Sequence, residues 1–118
     1  MPHARRLFGD SAEQTAEQFL IKKGYVILDR QFLTRVGEID LIARQGDEVV
    51  FVEVKARHTD AFGYPEASVT PTKLRKIAKT ALLYLRLKQL EESNIRIDVI
   101  AIEHQFSPPR ITHFEGVG

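Results

Sequence analysis

Apolar side chains recur every third or fourth position in two stretches of this chain, which is the spacing of a helix that buries one face. The first stretch covers residues 11–23, where Ser11 with Gln14 three positions later has the pattern of a capping box. The second covers residues 71–92 and begins with Pro71, whose missing N–H is harmless at the first position of a helix. The sequence therefore predicts two amphipathic helices.

Segments rich in β-branched and aromatic residues lie between and after these stretches and are typical of strands. The predicted strands are residues 25–33, 38–44, 49–57 and 95–103, with residues 110–115 as a short last strand. Gly46 and Asp47 suit a two-residue hairpin loop, and residues 58–69 lack a period and are predicted to form a loop. A hairpin followed by a helical crossover requires a mixed sheet. The order α-β-β-β-α-β-(β) thus predicts an α/β fold with a mixed β-sheet flanked by helices.

Length, charge and composition narrow the class of protein. The 118 residues fit one domain spanning 1–118, and the absence of cysteine excludes disulfides and thiolate metal sites. The longest apolar run, Ala81–Leu85, is far too short to span a bilayer, and no apolar stretch follows the basic N-terminus as in a secretory signal. We therefore expect a cytoplasmic protein without a membrane partner. The net charge of +1 argues, as a surface average, against a strongly basic nucleic-acid binder.

Charged residues interrupt the central hairpin at one end of its predicted strands. If the hairpin turns at Gly46-Asp47, the pairing places Asp40 opposite Glu53 and Glu38 opposite Lys55. Directly paired residues project to the same face with their Cβ atoms about 5 Å apart. Two carboxylates and an ammonium group would then converge at one end of the sheet.

Two carboxylates this close repel each other, so a cation between them or a shared proton is the usual reason for such a pair. Oxygen ligands without nearby Cys or His favour a hard ion such as Mg²⁺ or Mn²⁺. A lysine beside that ion could orient or activate a water that attacks a phosphate. The alternative is an exposed ladder of ion pairs, with Glu38 bonded to Lys55 and Asp40 as a charge at the strand end.

Several separated motifs, in the same order, resemble the YraN family, also called UPF0102. More broadly, they are similar to the PD-(D/E)XK nuclease superfamily and especially to its archaeal Holliday-junction resolvases. The resemblance covers nearly the whole chain. The matching segments are residues 12–25, 37–43, 50–57, 67–73 and 96–99. Ile39 replaces the proline of the superfamily motif, as in the resolvase branch, and Ala12 stands where the family usually has glycine.

This resemblance implies a restriction-endonuclease-like core and a metal-dependent endonuclease that hydrolyses phosphodiester bonds. Asp40 and Glu53 would bind Mg²⁺ or Mn²⁺, Lys55 would be the catalytic lysine, and Glu13 would contribute to metal binding. The substrate implied is branched or other structured DNA, engaged by a homodimer. The alternative is a nuclease fold without catalysis that serves as a nucleic-acid- or protein-binding module.

Basic residues on the second helix are the candidates for phosphate contacts. Lys73, Lys76 and Lys79 belong to a segment without acidic residues, and Arg57 ends the strand that carries Lys55. Such a row of basic residues either binds the phosphates of a nucleic acid, with an affinity that falls as salt increases, or is simply a solvated helix face.

Residues away from the hairpin receive plainer interpretations. In the loop of residues 58–69, Tyr64 could stack on an unpaired base, or the loop could serve only as a connection. Asp98 is expected to have a structural role, paired with Arg96 or Arg57. The four histidines lack metal-ligand spacing and are expected at the surface.

Overall fold

The structure, a computed structural model, describes residues 4–59, 61 and 63–118, with side chains from residue 12 onward apart from that of residue 66. Two helices flank a five-stranded sheet. The elements are α1 (Ala4–Lys22), β1 (Val26–Leu33), β2 (Glu38–Gln45), β3 (Glu48–Arg57), a 3₁₀ turn (Pro65–Ser68), α2 (Pro71–Leu87), β4 (Asn94–Glu103) and β5 (Arg110–Phe114). The predicted α/β fold is confirmed, and each predicted strand matches an observed one to within one residue at either end.

The five strands lie in the sheet in chain order, β1-β2-β3-β4-β5. Neighbouring strands are antiparallel except β3 and β4, which run parallel. A parallel pair needs a long crossover connection, and the segment containing α2 supplies it. The sheet is therefore mixed, as predicted, and its architecture is compatible with a nuclease-like core.

Each face of the sheet carries its own apolar core. Val50 and Val52 pack with residues of α1, whereas Val49 and Phe51 pack with residues of α2. Because side chains alternate between faces along a strand, Glu53 and Lys55 continue the face that α2 covers. The charged side chains in the C-terminal half of β3 therefore lie beyond the edge of the apolar core between the sheet and α2.

A buried ionic network joins β4 to β5. Asp98 has no exposed surface, and its carboxylate accepts two hydrogen bonds of 2.9 Å from Arg96 and one of 3.0 Å from the backbone of Gly116. His113 Nε2 lies 2.7 Å from the same carboxylate, and Lys23 lies 2.8 Å from the other ring nitrogen. The expected structural role for Asp98 is confirmed, with Arg96 as its partner. The surface position expected for His113 is wrong, because both ring nitrogens have partners and its side chain is only 3% exposed.

Both helix boundaries differ from the sequence-based ones at one end. The first helix begins at Ala4 rather than residue 11, so the predicted capping box at Ser11 is wrong. Residues 4–7 are all good helix formers and contain no stop signal. The second helix ends at Leu87 rather than residue 92. Just after the helix, Gln89 has a φ of 58°. Glycine is the residue that usually adopts this left-handed conformation at the end of a helix.

The backbone hydrogen bonds after α2 explain this early end. The N–H of Leu90 donates to the carbonyl of Leu85, and that of Gln89 donates to Arg86. This is the Schellman pattern, which satisfies carbonyls that the helix leaves without partners. Because no glycine marks the site, the pattern of the sequence alone extends the helix too far.

Among the described residues, no helix is long and apolar enough to cross a membrane.

Candidate active site

The candidate site lies where strands β2 and β3 separate. Their ladder follows the predicted register as far as the pair Leu41 and Val52, and it ends there. Beyond this point Asp40 turns its carboxylate to the third strand, and its Oδ2 accepts a 2.7 Å hydrogen bond from the N–H of Val54. A side chain rather than a carbonyl group therefore satisfies this N–H.

This fork changes the expected pairing of charged residues. The predicted direct pairs, Asp40 with Glu53 and Glu38 with Lys55, are not part of the observed ladder. Glu38 is exposed at the start of β2. Asp40 and Glu53 nevertheless interact, because the carboxylate of Asp40 reaches across the fork to the third strand.

The environment of Asp40 strongly disfavours its negative charge. Burial, then the negative charge of Glu53, raises the pKa of Asp40 to about 9, and Glu13 contributes in the same direction. The hydrogen bond from Val54 opposes this shift without cancelling it. Glu53 is itself only 8% exposed. The pair is therefore stable when it shares a proton or when a cation neutralises it.

Two lysines meet at one oxygen of this pair. Lys73, in the first turn of α2, places its ammonium nitrogen 2.7 Å from Oε2 of Glu53, and Lys55 lies 3.4 Å from the same oxygen. Burial and the neighbouring Lys73 lower the pKa of Lys55. For Lys73, burial acts in the same direction, but the hydrogen bond to Glu53 and the surrounding charges leave its pKa above the ordinary value. Lys73 thus makes the closer of the two contacts with Glu53.

Glu13 approaches the cluster from α1, on the other face of the sheet. Its Oε1 accepts a 2.7 Å hydrogen bond from the amide of Gln31 on β1. Gln31 has a φ of 50°, in the left-handed region that a side chain rarely adopts. Sequence reasoning missed Gln31, because nothing in a strand-like segment marks a position of positive φ. A cleft of about 470 Å³ opens beside these residues.

The donor atoms fit a hard divalent cation. Within the described part of the chain, no three His, Asp or Glu side chains form a group that could hold a metal ion by themselves. Mg²⁺, however, is commonly held by only one or two carboxylates and keeps several waters or takes phosphate oxygens. Asp40 and Glu53 are such a carboxylate pair, and burial and the charge of Glu53 disfavour a negative charge on Asp40 unless a proton or a cation neutralises it.

The remaining predicted site residues lie apart from this cluster. Lys76 and Lys79 are exposed on α2. Arg57 donates from Nε to the carbonyl of Thr59 at 2.9 Å, and its Nη2 is buried without a hydrogen-bond partner among the described atoms. The structure therefore brings together Asp40, Glu53 and two lysines, with Glu13 near them; it leaves Lys76 and Lys79 exposed on α2 and bonds Arg57, at the end of β3, to the loop that follows.

Comparison with known proteins identifies the family. The family model described as "Uncharacterised protein family UPF0102" matches residues 12–102. This chain belongs to the UPF0102 family. A UPF0102 protein of Geobacter sulfurreducens is 45% identical over 113 residues, which is 94% of this chain and 88% of the relative. UPF0102 proteins of Syntrophus aciditrophicus and Clostridium tetani are 47% and 49% identical, each over 80% of this chain and over 74% and 77% of the respective relative.

The UPF0102 match contains every residue of the cluster, from Glu13 to Lys73, and it ends before β5. The names of these relatives state the family and no activity. The chemistry of the site must therefore be argued from its own residues.

Proposed function

We propose that this UPF0102 chain is a Mg²⁺- or Mn²⁺-dependent endonuclease that hydrolyses phosphodiester bonds in structured, branched DNA. One observation carries the proposal: Asp40, Glu53, Lys55 and Lys73 converge at the fork between β2 and β3. Two carboxylates with adjacent ammonium groups are the components that metal-assisted phosphodiester hydrolysis requires. The resemblance of the surrounding motifs to the PD-(D/E)XK nucleases supports the same reaction.

Each side chain of the cluster has a separate role in this reaction. Asp40 and Glu53 would hold the ion, which would supply Lewis-acid stabilisation of the charge that develops on the phosphate. Lys55 orients or activates the attacking water. The water oxygen bonds to phosphorus while the bond from phosphorus to the leaving oxygen breaks; the attacking water gives up one proton to solvent, and the leaving oxygen takes up one from solvent. Lys73 keeps Glu53 in place and offers positive charge to the phosphate.

The charges around the cluster suggest how a strand would lie. The exposed Lys76 and Lys79 are on the same helix as Lys73, so phosphates on either side of the scissile one would follow α2. Glu13 lies toward α1, where the Glu17–Arg30 ion pair also lines the cleft. That side disfavours phosphates, because two of the three charged residues that line the cleft are acidic. Recognition would depend on shape, and a homodimer would present two such sites to a branched substrate.

A cleavage assay tests this proposal. The protein is incubated with four-way junction, flap and linear DNA in Mn²⁺, beside Asp40→Ala, Lys55→Ala and the charge-matched control Arg44→Ala at the other end of the sheet. Cleavage is expected from the wild type and from Arg44→Ala, and it should disappear in the two cluster variants and in EDTA. Cleavage that persists in both cluster variants would exclude this site.

The second candidate function is a nucleic-acid- or protein-binding module that has kept the fold without catalysis. The contacts of Lys55 and Lys73 with Glu53 favour this second function. The lysines neutralise the charge of Glu53 and a protonated Asp40 carries no charge, so the cluster would need no metal ion. Calorimetric titration with Mn²⁺ separates the two functions. The nuclease requires bound ion that Asp40→Ala abolishes, whereas the binding module predicts no heat of binding in either protein.

A further inference from the structure

A second surface feature lies on the same face of the sheet as the candidate active site. A groove of about 440 Å³ is lined by the loop before α2, the loop after β4, and β5. Two aromatic rings in it are open to solvent: Tyr64 is 78% exposed and Phe106 is 36% exposed. The guanidinium carbon of Arg110 lies 3.8 Å from the centre of the Phe106 ring. We call this feature the aromatic groove.

The register of the sheet fixes the position of the aromatic groove relative to the cluster. Residues paired across neighbouring strands share a face, and three such rows cross from β3 over β4 to β5. The rows are Glu53–Val99–Phe114, Lys55–Ala101–Thr112 and Arg57–Glu103–Arg110. The three β5 residues that line the groove are thus the row partners of the charged residues of β3.

This placement gives a distance between the two features. Neighbouring strands lie about 4.8 Å apart, so β5 is about 10 Å from β3. At the rise of about 3.4 Å per nucleotide in one strand of a duplex, this span corresponds to roughly three nucleotides. A strand whose phosphate reached Glu53 and Lys55 could therefore place a nearby base in the aromatic groove.

The chemistry of the groove suits a base with no pairing partner. Unpaired bases stack on aromatic rings and on guanidinium planes, and the stacked pair of Phe106 and Arg110 presents both. Arg57 and Arg110 stand on either side of Glu103 in their row, so the basic charges outnumber the acidic one.

We propose that the aromatic groove holds an unpaired nucleobase of the substrate strand, so that this protein prefers DNA with a single-stranded segment beside the scissile phosphate. The inference rests on the proposed function for the substrate strand and its scissile phosphate, whereas binding of an unpaired base in the groove is measured without cleavage. It assigns Tyr64, Phe106 and Arg110 to strand selection rather than to hydrolysis.

Binding measurements without metal test the groove separately from catalysis. Fluorescence anisotropy in EDTA compares a labelled single-stranded oligonucleotide with a blunt duplex of the same length. The proteins are the wild type, Tyr64→Ala, Phe106→Ala and the conservative variant Phe106→Tyr. Leu87→Ala, an exposed apolar residue at the far end of α2, is the matched control.

Each alanine variant should weaken single-strand binding by about fivefold to a hundredfold, because stacking on one aromatic side chain has that strength. Blunt-duplex binding should be unchanged, Phe106→Tyr should restore the affinity, and Leu87→Ala should behave as the wild type. Equal losses on both ligands, unchanged single-strand binding in the alanine variants, or no single-strand binding by the wild type would each overturn the proposal.

The outcomes for the groove and for the nuclease are distinguishable. If the wild type cleaves no DNA in Mn²⁺ but the groove variants selectively lose single-strand affinity, the nuclease proposal fails and the aromatic groove stands. If the wild type cleaves DNA and the groove variants bind and cleave flap and blunt substrates as it does, only the groove proposal fails.

Discussion

The ammonium group of Lys73 lies 2.7 Å from Oε2 of Glu53 and so connects the first turn of α2 to the charged end of β3. A positive charge in the first turn is unfavourable for a helix, because the backbone dipole is positive there. The bond to Glu53 compensates for this cost. It also places an ammonium group at an oxygen that a divalent cation would need.

Replacing Lys73 by methionine should therefore strengthen metal binding and weaken catalysis. Without the ammonium group, Oε2 of Glu53 is free of its nearest competitor, so calorimetry should show severalfold tighter Mn²⁺ binding. The cleavage rate should fall, because the positive charge beside the phosphate is lost. Lys79→Met is the control, since Lys79 is exposed on the same helix; it should lower DNA affinity in a salt-dependent way and leave Mn²⁺ affinity unchanged. An unchanged Mn²⁺ affinity in Lys73→Met would contradict the competition.

The raised pKa of Asp40 predicts that its removal stabilises the metal-free protein. Between the ordinary aspartate value of about 3.9 and its pKa of about 9, native Asp40 keeps a proton that the unfolded chain releases. This residue therefore lowers the free energy of unfolding progressively as pH rises through that window. Asp40→Asn, which still offers an oxygen to the N–H of Val54, loses no proton.

Urea unfolding in EDTA at several pH values measures this effect. The advantage of Asp40→Asn over the wild type should grow from about pH 4 to pH 9. Mn²⁺ should raise the stability of the wild type, because the ion binds the folded protein and not the unfolded chain. It should not stabilise the variant, which lacks the carboxylate of Asp40. A constant difference across this pH range would show that Asp40 does not titrate as its surroundings imply.

The buried carboxylate of Asp98 should be essential for stability. Asp98→Asn leaves the guanidinium group of Arg96 without its main counter-charge, which is expected to lower the free energy of unfolding by about 3–5 kcal/mol. Glu115→Gln is the control, because Glu115 contacts the same arginine at 3.6 Å but is half exposed; it should cost less than about 1 kcal/mol. Comparable losses in the two variants would contradict the role assigned to burial.

Asp98 also predicts sensitivity to acid. Burial alone would raise its pKa, but hydrogen bonds from His113 and Arg96 hold the pKa below the ordinary value. Its contribution to stability is therefore present above about pH 4 and is lost as pH falls toward the native pKa. In denaturant titrations, Asp98→Asn should lack this part of the acid dependence.

Gln31 combines a strained backbone with a bond to Glu13, and two substitutions separate these properties. Gln31→Ala keeps a side chain at a φ of 50°, whereas Gln31→Gly accepts this conformation freely. Gln31→Ala should be less stable than Gln31→Gly by about 1 kcal/mol. Both lose the amide that holds Glu13, so both should slow Mn²⁺-dependent cleavage to the same extent. Wild-type rates in both variants would exclude Gln31 from positioning Glu13.

Local sequence patterns were sufficient for the strands, the hairpin turn and the set of acidic and basic residues at the site. The alternation of apolar and polar residues and the turn residues are local signals. Together they define the hairpin of β2 and β3, and the hairpin brings Asp40 near Glu53. The fork could not be predicted, because it depends on a hydrogen bond that the N–H of Val54 donates to the carboxylate of Asp40, fourteen positions away. Lys73 was expected to contact phosphate, and only the packing of α2 against the sheet brings it to Glu53.

Other features were missed because their signals were absent or misleading. The left-handed conformations of Gln31 and Gln89 occur without glycine or asparagine, the residues that usually mark them. The lack of metal-ligand spacing predicts His113 at the surface, but Asp98 and Lys23 are partners of its two ring nitrogens and its side chain is buried. The register from β3 to β5 was likewise needed to recognise the aromatic groove.

The central claim is that Asp40 and Glu53 together bind a divalent cation. Anomalous diffraction from crystals of the protein soaked in Mn²⁺ tests this most directly, because manganese gives a signal that carbon, nitrogen and oxygen do not. We predict an anomalous peak between the two carboxylates, and no peak at that position in Asp40→Asn crystals soaked in the same way. A wild-type map without a peak there, with Lys73 still bonded to Glu53, would contradict the claim.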